Sequence, residues 1–377
     1  MAKLLEFPAP SGDQSTVACA CGQQARYREQ RTKPIVTALE RTQVRRPYYL
    51  CPHCHAGQFP ADVELDIENT EFSPGVRRMQ AVVGQQGPFD QGRQQLQLLA
   101  GLEVTSKSVE RNAEAIGEHI AAGEYAEVQR VLQLDLPIVM GEPIPILYVQ
   151  MDGTGVLVVK KETLGRKGKA AGQPAHTREV KLGCVFTQTS YDEEGYAIRD
   201  PDSTTYTGSI ETAQAFGKRL YLEAWNRGWS RAAKKVVMGD GAEWIWNLAD
   251  QHFPGAIQIV DLYHARQHLW EVARKLHPND TLKQKAWVKS HQKRWLDKGK
   301  IEKLVAALRS IQSALAEVAD MLLLEADYFE RNAARMRYPE FRRQHLFIGS
   351  GVIEAGCKTV IGSRLKQSGM FLDPSRR

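Results

Sequence analysis

The spacing of apolar residues divides this chain into stretches of different character. Residues 1–60 alternate apolar and polar positions in short runs, with Arg and Tyr set between two cysteine pairs. Nothing there is long enough to bury a core of its own. Across 73–135 the apolar residues recur at helical spacing. Residues 94–100 read as an amphipathic helix and 101–106 as a turn. Thr105 or Ser106 is placed to cap a second helix from 107 to about 120. Leu98, Leu102, Val104 and Val109 are the expected packing between these two helices. Pro137, Pro143 and Pro145 interrupt the pattern, and strand spacing takes over. Strands are expected at 146–151, 156–159 and 180–187. A helix over 210–229 turns Phe216, Leu220, Leu222 and Trp225 inward. A strand at 235–238, a helix from 242 to about 251 and a strand at 257–260 follow. From 264 to about 344 the pattern is helical again.

Three early strands, then helix, strand, helix and strand, is the order of an RNase H-like core, a mixed five-stranded sheet flanked by helices. The expected fold class is therefore α/β, an RNase H-like sheet with an all-helical insertion. The expected organisation is a zinc-ribbon-like module at 1–70, a helix-turn-helix region at 71–136 and the first part of the core at 137–264. The helical insertion follows at 265–345 and a last core helix at 346–377. A chain of 377 residues suits several domains, since single cores rarely grow past ~250–300 residues.

Charge narrows the function classes only slightly. The formal net charge of +6 permits nucleic-acid binding without requiring it. No apolar run is long enough for a bilayer, and no charged-then-apolar leader opens the chain, so a cytoplasmic protein is expected. No Gly-x-x-x-x-Gly-Lys-Ser/Thr loop occurs, which disfavours a nucleotide-binding enzyme.

The cysteines change the picture more. Cys19 and Cys21 form one close pair, and Cys51 and Cys54 another. Paired spacing in a reducing compartment favours a metal over disulfides. Four thiolates suit tetrahedral Zn2+, which would supply folding energy to a module this small. His53 or His55 is an alternative ligand, and four reduced cysteines without an ion is the plain alternative.

Two regions carry candidate DNA contacts. The pattern Leu-Ala-Gly-Leu-x-Val-Thr-x-x-Ser-Val suits a helix-turn-helix, with Lys107, Ser108, Arg111 and Asn112 facing a groove. A plain helical hairpin explains the same residues. Farther on, Lys and Arg, including Lys293 and Arg294, alternate with Trp287 and Trp295. Such a run serves DNA or is a solvated face with tryptophans in the core.

Three acids carry the candidate chemistry. Asp152 ends the first, central strand, Asp240 ends the neighbouring fourth, and Glu354 lies on a helix crossing that edge. Carboxylates there suit a pair of Mg2+ (or Mn2+) ions, which activate an attacking oxygen and stabilise the leaving one in phosphodiester cleavage. Asp-Gly is also a common turn pair, the plain reading of both aspartates. Asp261 and His264, three apart after the last strand, are read as supporting or phosphate-positioning groups.

At these residues the chain resembles a DDE transposase of bacterial insertion sequences, of the ISKra-type group. The likeness covers nearly all of it. It rests on Met-Asp-Gly-Thr-Gly at 151–155, Gly-Asp-Gly-Ala-Glu-Trp-Ile at 239–245, Asp-Leu-Tyr-His-Ala at 261–265, and the stretch 349–370 with Glu354. The resemblance implies metal-dependent strand cleavage and strand transfer by Asp152, Asp240 and Glu354. It matches Asp261 and His264 to the family's acidic-x-x-His motif. It further implies double-stranded DNA as partner, both transposon ends and target, bound by a homodimer or higher oligomer. Two rivals stand beside it, an RNase H-like nuclease without strand joining and a silent DNA-binding remnant. One departure is the ending: family members continue past Gly369 and Met370 into a further apolar and basic segment. Residues 371–377 resemble a truncation or frameshift.

Overall fold

The computed structural model describes residues 6–133, 135–168, 173–368 and 370–373, with the backbone alone for 13 and 14. Gly369 and the end of the chain at 374–377, part of the ending that resembles a truncation, lie outside the described residues. The chain forms two units, Met1–Gly123 and Glu124–Arg377.

In the first unit, β1 (Thr16–Ala18), β2 (Gln24–Val36), β3 (Arg41–Leu50) and β4 (Gly57–Gln58) form an antiparallel sheet in sequence order. Its apolar residues gather in small separate clusters, one of Cys19, Ala25, Tyr49 and Cys51, another of Ile35, Val44 and Ile67. Ionic contacts supplement them: the buried Arg46 guanidinium bonds Asp62 at 2.5 Å, and Lys33 adds a contact at 3.2 Å. Asp62 belongs to α1 (Pro60–Glu64). Then come α2 (Pro74–Gln86), α3 (Phe89–Ala100) and α4 (Ser106–Leu132). Ser73 caps α2, and Gly101, left-handed at φ 64°, ends α3. Leu96, Leu102 and Val109 pack with Phe72 and Val76. Leu98, expected there, is 85% exposed. Positions two apart on a helix point to nearly opposite sides, so with Leu96 inward Leu98 must face out.

The second unit is built on β5 (Ile144–Leu157), β6 (Thr177–Gln188), β9 (Thr205–Ser209), β10 (Ala232–Gly239) and β11 (Ile257–Val260). Short β7 (Ser190–Tyr191) and β8 (Ala197–Ile198) make a separate hairpin. The five-stranded sheet runs β11-β10-β5-β6-β9. β5, β10 and β11 are parallel, whereas β6 and β9 run antiparallel to their neighbours. Helices α5 (Ala213–Asn226) and α6 (Glu243–His252) connect the later strands. β5 is central: Leu147 to Met151 are all fully buried, as a strand covered on both faces requires.

Two strand expectations need correction. Residues 156–157 are not a separate strand. β5 runs straight through Asp152-Gly153 because β6 pairs with it as far as Leu157↔Thr177. The third strand is instead β9, Thr-Tyr-Thr-Gly-Ser, an edge strand with too few apolar residues to register as one.

Helices α7 (Leu262–Leu276), α8 (Thr281–Arg294), α9 (Ile301–Arg309), α10 (Ala316–Arg331) and α11 (Tyr338–Arg343) follow. Leu269, Leu304, Leu308, Leu322 and Phe329 join the same core as the sheet. Trp287 and Trp295 pack against that core, and Trp287 stacks on His291 at 3.8 Å. The chain returns through α12 (Gly351–Gly356), a π-helical turn (Cys357–Gly362) and α13 (Ser363–Leu365). Among the described residues no helix is long and apolar enough to cross a membrane.

Candidate active site and thiol cluster

The thiol cluster sits where two strand pairs turn. Cys19 and Cys21 lie between β1 and β2, and Cys51 and Cys54 between β3 and β4. Turn hydrogen bonds fix each knuckle, Gly22 N to Cys19 O and His55 N to Cys51 O. Sγ of Cys19 lies 3.5 Å from that of Cys54, and Cys21 Sγ lies 3.6 Å from Cys51 Sγ. Bound thiolates about 2.3 Å from a tetrahedral ion would stand ~3.8 Å apart. The ligand atoms of all four lie within 4.8 Å of one another, and His53 and His55 are not among them. Backbone N–H groups of Cys54 and His53 pull the Cys51 thiol down to about 6, against its burial. The Ala56 N–H pulls on Cys54, but hydrogen bonds with the other three thiols outweigh it and push Cys54 up to about 12. Four thiols this close cannot all ionise without a cation, so the donor set fits zinc.

The acids belong to the second unit, and strand register brings the aspartates level. The last β5–β10 pair is Gln150↔Met238, and Asp152 and Asp240 each lie two residues beyond it. Adjacent strands run about 4.8 Å apart, so both carboxyls project from neighbouring positions. There β10 ends, while β5 continues beside β6 alone. Gly241, at φ 99°, makes the turn after Asp240. No such turn follows Asp152.

Glu354 arrives from far along the chain, and long-range bonds seat its helix. Gln188 Nε2 donates to His345 O at 2.8 Å, and Phe347 N donates to the Tyr148 hydroxyl at 3.2 Å. Leu262 N bonds Ile348 O at 2.9 Å, Ser350 N donates to Asp261 Oδ2, and Ile353 N donates to Gln150 Oε1 at 3.0 Å. Gly356 meets the Tyr206 ring so closely that a Cβ would lie 2.3 Å from it.

Met151, Asp152, Asp240, His264, Gln267, Ser350, Ile353 and Glu354 line one cavity of about 180 Å3. Burial raises the Asp152 pKa, and the nearby Asp240 charge adds to it. A hydrogen bond from the Cys357 thiol, the Gly153 N–H and the His264 charge oppose. Cys357 Sγ lies 3.3 Å from Asp152 Oδ2, and burial pushes this thiol up to about 12, so it donates. Asp240 Oδ1 accepts the Ala242 N–H at 2.8 Å, and the Ser350 hydroxyl donates to Glu354 Oε1 at 3.3 Å. The three carboxyls share a wall but do not converge as tightly as the thiols. A pair of ions roughly 3.5–4 Å apart needs that wider spread.

Asp261 does not line this cavity. It is fully buried, and both its oxygens are taken by backbone, Oδ1 by His264 N at 2.5 Å and Oδ2 by Ser350 N. It caps α7 and ties the Glu354 segment to the sheet. His264 alone of that pair faces the cavity.

Sequence reasoning missed Gln150, Gln267 and Cys357. A polar residue within the apolar run 146–151 was the available signal for Gln150. The expected DNA contacts also divide. Lys107 is exposed and pairs with Glu110 at 2.9 Å, and Arg111, Lys293 and Arg294 are exposed. Ser108 and Asn112 instead engage the buried Gln80 of α2: Gln80 Nε2 donates to Ser108 Oγ at 3.2 Å, and Asn112 Nδ2 donates to Gln80 Oε1. Both are half-buried and bonded to the neighbouring helix.

No family model matches the chain, and no curated protein matches it. Among solved structures it is similar to a Drosophila P element transposase strand transfer complex, at 9% identity over 71% of this chain and 66% of that one, with a TM-score of 0.25. That alignment spans just under two thirds of the transposase chain. A second similarity, to NurA bound to dAMP and manganese, has 12% identity over 69% of this chain and 73% of that one, with a TM-score of 0.10. At such TM-scores neither likeness bears on fold or function.

Proposed function

We propose that this chain is a DDE-type transposase of the ISKra-type group, with an RNase H-like core that cuts and joins DNA at insertion-sequence ends. The observation that carries the reading is the one cavity shared by Asp152, Asp240, Glu354 and His264, just beyond the point where the parallel pairing of β5 with β10 stops. The strand order 3-2-1-4-5, with the first three strands antiparallel, supports the RNase H-like assignment. The helices from 265 to 345 are the insertion, 71–136 the helix-turn-helix region, and 1–70 a zinc ribbon held by Cys19, Cys21, Cys51 and Cys54.

The donor set of the cavity is hard oxygen, which fits Mg2+ or Mn2+. Such ions, when bound, activate the attacking hydroxyl and stabilise the leaving oxygen. The residues have separate tasks. Asp152 and Asp240 hold the site from the sheet, and Glu354 closes it from α12. The raised Asp152 pKa marks a crowded, partly desolvated carboxylate that gains by facing a cation. His264 and Gln267 offer N–H donors to a phosphate oxygen. Cys357 orients Asp152, and Asp261 holds the Glu354 segment in place. Lys and Arg side chains, Lys107, Arg111, Lys293 and Arg294 among them, meet phosphates of double-stranded DNA, on which a homodimer or higher oligomer assembles.

The test is a Mg2+-dependent assay on supercoiled DNA carrying the element's ends. Asp152→Asn and Asp240→Asn should each lose several kcal/mol of charge stabilisation, about 10^3-fold in rate. Duplex affinity should remain. Cleavage that survives Asp240→Asn would overturn the assignment. Nicked products without joined ones would favour the nuclease reading.

A further inference from the structure

We propose that Tyr328, on α10, is a positioning residue for the Asp240 carboxylate. The inference deepens the transposase reading and rests on it for its catalytic consequence. The Tyr328 hydroxyl donates to the main-chain carbonyl of Asp240 at 2.9 Å, across 88 residues of sequence. Asp240 Oδ1 is occupied by its own turn, through the Ala242 N–H. The Asp240–Gly241 peptide sets where the Ala242 N–H lies, and that hydrogen bond orients the carboxylate. Tyr328 holds the carbonyl of that same peptide.

Three further observations converge on the same contact. Gly241 is left-handed, and a Cβ there would stand 2.6 Å from Tyr328 Cε2 and 2.7 Å from its hydroxyl. The absent side chain is what admits the tyrosine beneath the turn. Behind it, the Tyr328 ring stacks on His268 at 3.8 Å with an interplanar angle of 18°. His268 is in turn held by Glu325, Nδ1 to Oε2 at 2.8 Å, one turn back on α10. Helices α7 and α10 thus clamp the ring, and the ring fixes the turn. The helical region is then part of the catalytic scaffold, beyond any role as a DNA-facing surface.

Tyr338 supplies an internal control. It is more deeply buried still, yet its hydroxyl finds no hydrogen-bond partner among the described residues. Tyr328→Phe and Tyr338→Phe each delete one buried hydroxyl and keep the ring. Amide hydrogen exchange over 239–244 reads the strut without metal or DNA. Tyr328→Phe should speed exchange at Ala242 roughly fivefold, the worth of one net hydrogen bond. It should also raise the Mg2+ concentration for half-maximal cleavage by a similar factor of about five, with most of the rate restored at saturating Mg2+. Gly241→Ala should reproduce the Mg2+ effect by displacing the ring. Tyr338→Phe should leave both readouts at the wild-type value. Equal behaviour of the two Phe variants in exchange would overturn the proposal. If the wild type shows no Mg2+-dependent cleavage, the transposase reading fails, and the exchange measurement still decides whether Tyr328 holds the Asp240 turn.

Discussion

The two units of this chain solve the problem of stability by different means. Glu124–Arg377 gathers sheet and helices into one continuous core, from Leu147 on β5 to Phe329 on α10. Burial of so many large side chains at ~25 cal/mol per Å2 of apolar surface is enough to hold a fold without help. The sheet of Met1–Gly123 has no such reserve. Its apolar residues lie in scattered small clusters, an Arg46–Asp62 pair is buried, and four thiols gather at the ends of its strands. On the proposed reading, zinc at those thiols is the staple that a small sheet of this kind needs. Donor chemistry follows the same division: four sulfur donors gather at the strand ends of the small sheet, and the carboxylates line one cavity on the larger one.

The sharpest way to break this comparison is to remove the staple. Cys51→Ser, or a strong zinc chelator, should unfold β1–β4, since structural zinc contributes on the order of 10–16 kcal/mol in small zinc modules. Limited proteolysis should then cut within 16–58 while a fragment starting near 124 survives. Loss of both units together would show that they fold as one.

A smaller effect tests the second unit from within. Gln150→Leu keeps the volume of the side chain but leaves the Ile353 N–H without its partner. Stability should fall by about 1–3 kcal/mol, read as a lower thermal midpoint for the second unit with bound zinc unchanged. Metal-dependent cleavage should fall with it, because Glu354 follows Ile353. A variant with normal cleavage would mean that the other tethers suffice to seat α12.

Acid separates the units more gently. Burial lowers the His252 pKa, helped by Lys218, and burial lowers that of His291 with a contribution from Arg294. The unfolded chain takes up protons at the ordinary value of 6.5, while the folded unit keeps these imidazoles neutral. Their contribution is therefore complete above 6.5 and shrinks as pH falls from there toward the lowered folded values. Urea midpoints of the second unit should decline from pH 7.5 to 5.5 (a span of about one unit either side of the ordinary value). His252→Gln with His291→Gln should flatten the decline, and an unchanged slope would remove these histidines from the account.

The smallest effects concern DNA. Arg111→Ala in the first unit and Lys293→Ala in the second should each reduce the slope of log affinity against log salt by about one. Ser108→Ala and Asn112→Ala should instead loosen α2 against α4, by about 1 kcal/mol, with little change in preference between end and scrambled DNA. A large loss of end preference for Asn112→Ala would return that residue to base reading.

Much of this was legible in the sequence because it is local. The apolar run 146–151 states its own burial, the cysteine pairs state their knuckles, and an acid after a parallel strand states its place at the carboxyl edge. The order helix, strand, helix and strand from Ala213 to Val260 could likewise be read by period alone. Where local signals misled, a partner overruled them. Asp152-Gly153 looks like a turn, yet β6 pairs across it and carries the strand on. Residues 156–157 look like a new strand for the same reason. Thr205–Ser209 looks like loop until an edge of the sheet recruits it. Asn112 and Ser108 look like groove contacts until α2 presents Gln80. What only the tertiary structure decided is the set of contacts between distant residues: Gln150 with Ile353, Asp261 with Ser350, Tyr328 with Asp240. Sequence spacing reports periodicity within an element, and these bonds depend on which elements pack together, so no single stretch of the chain carries their signal.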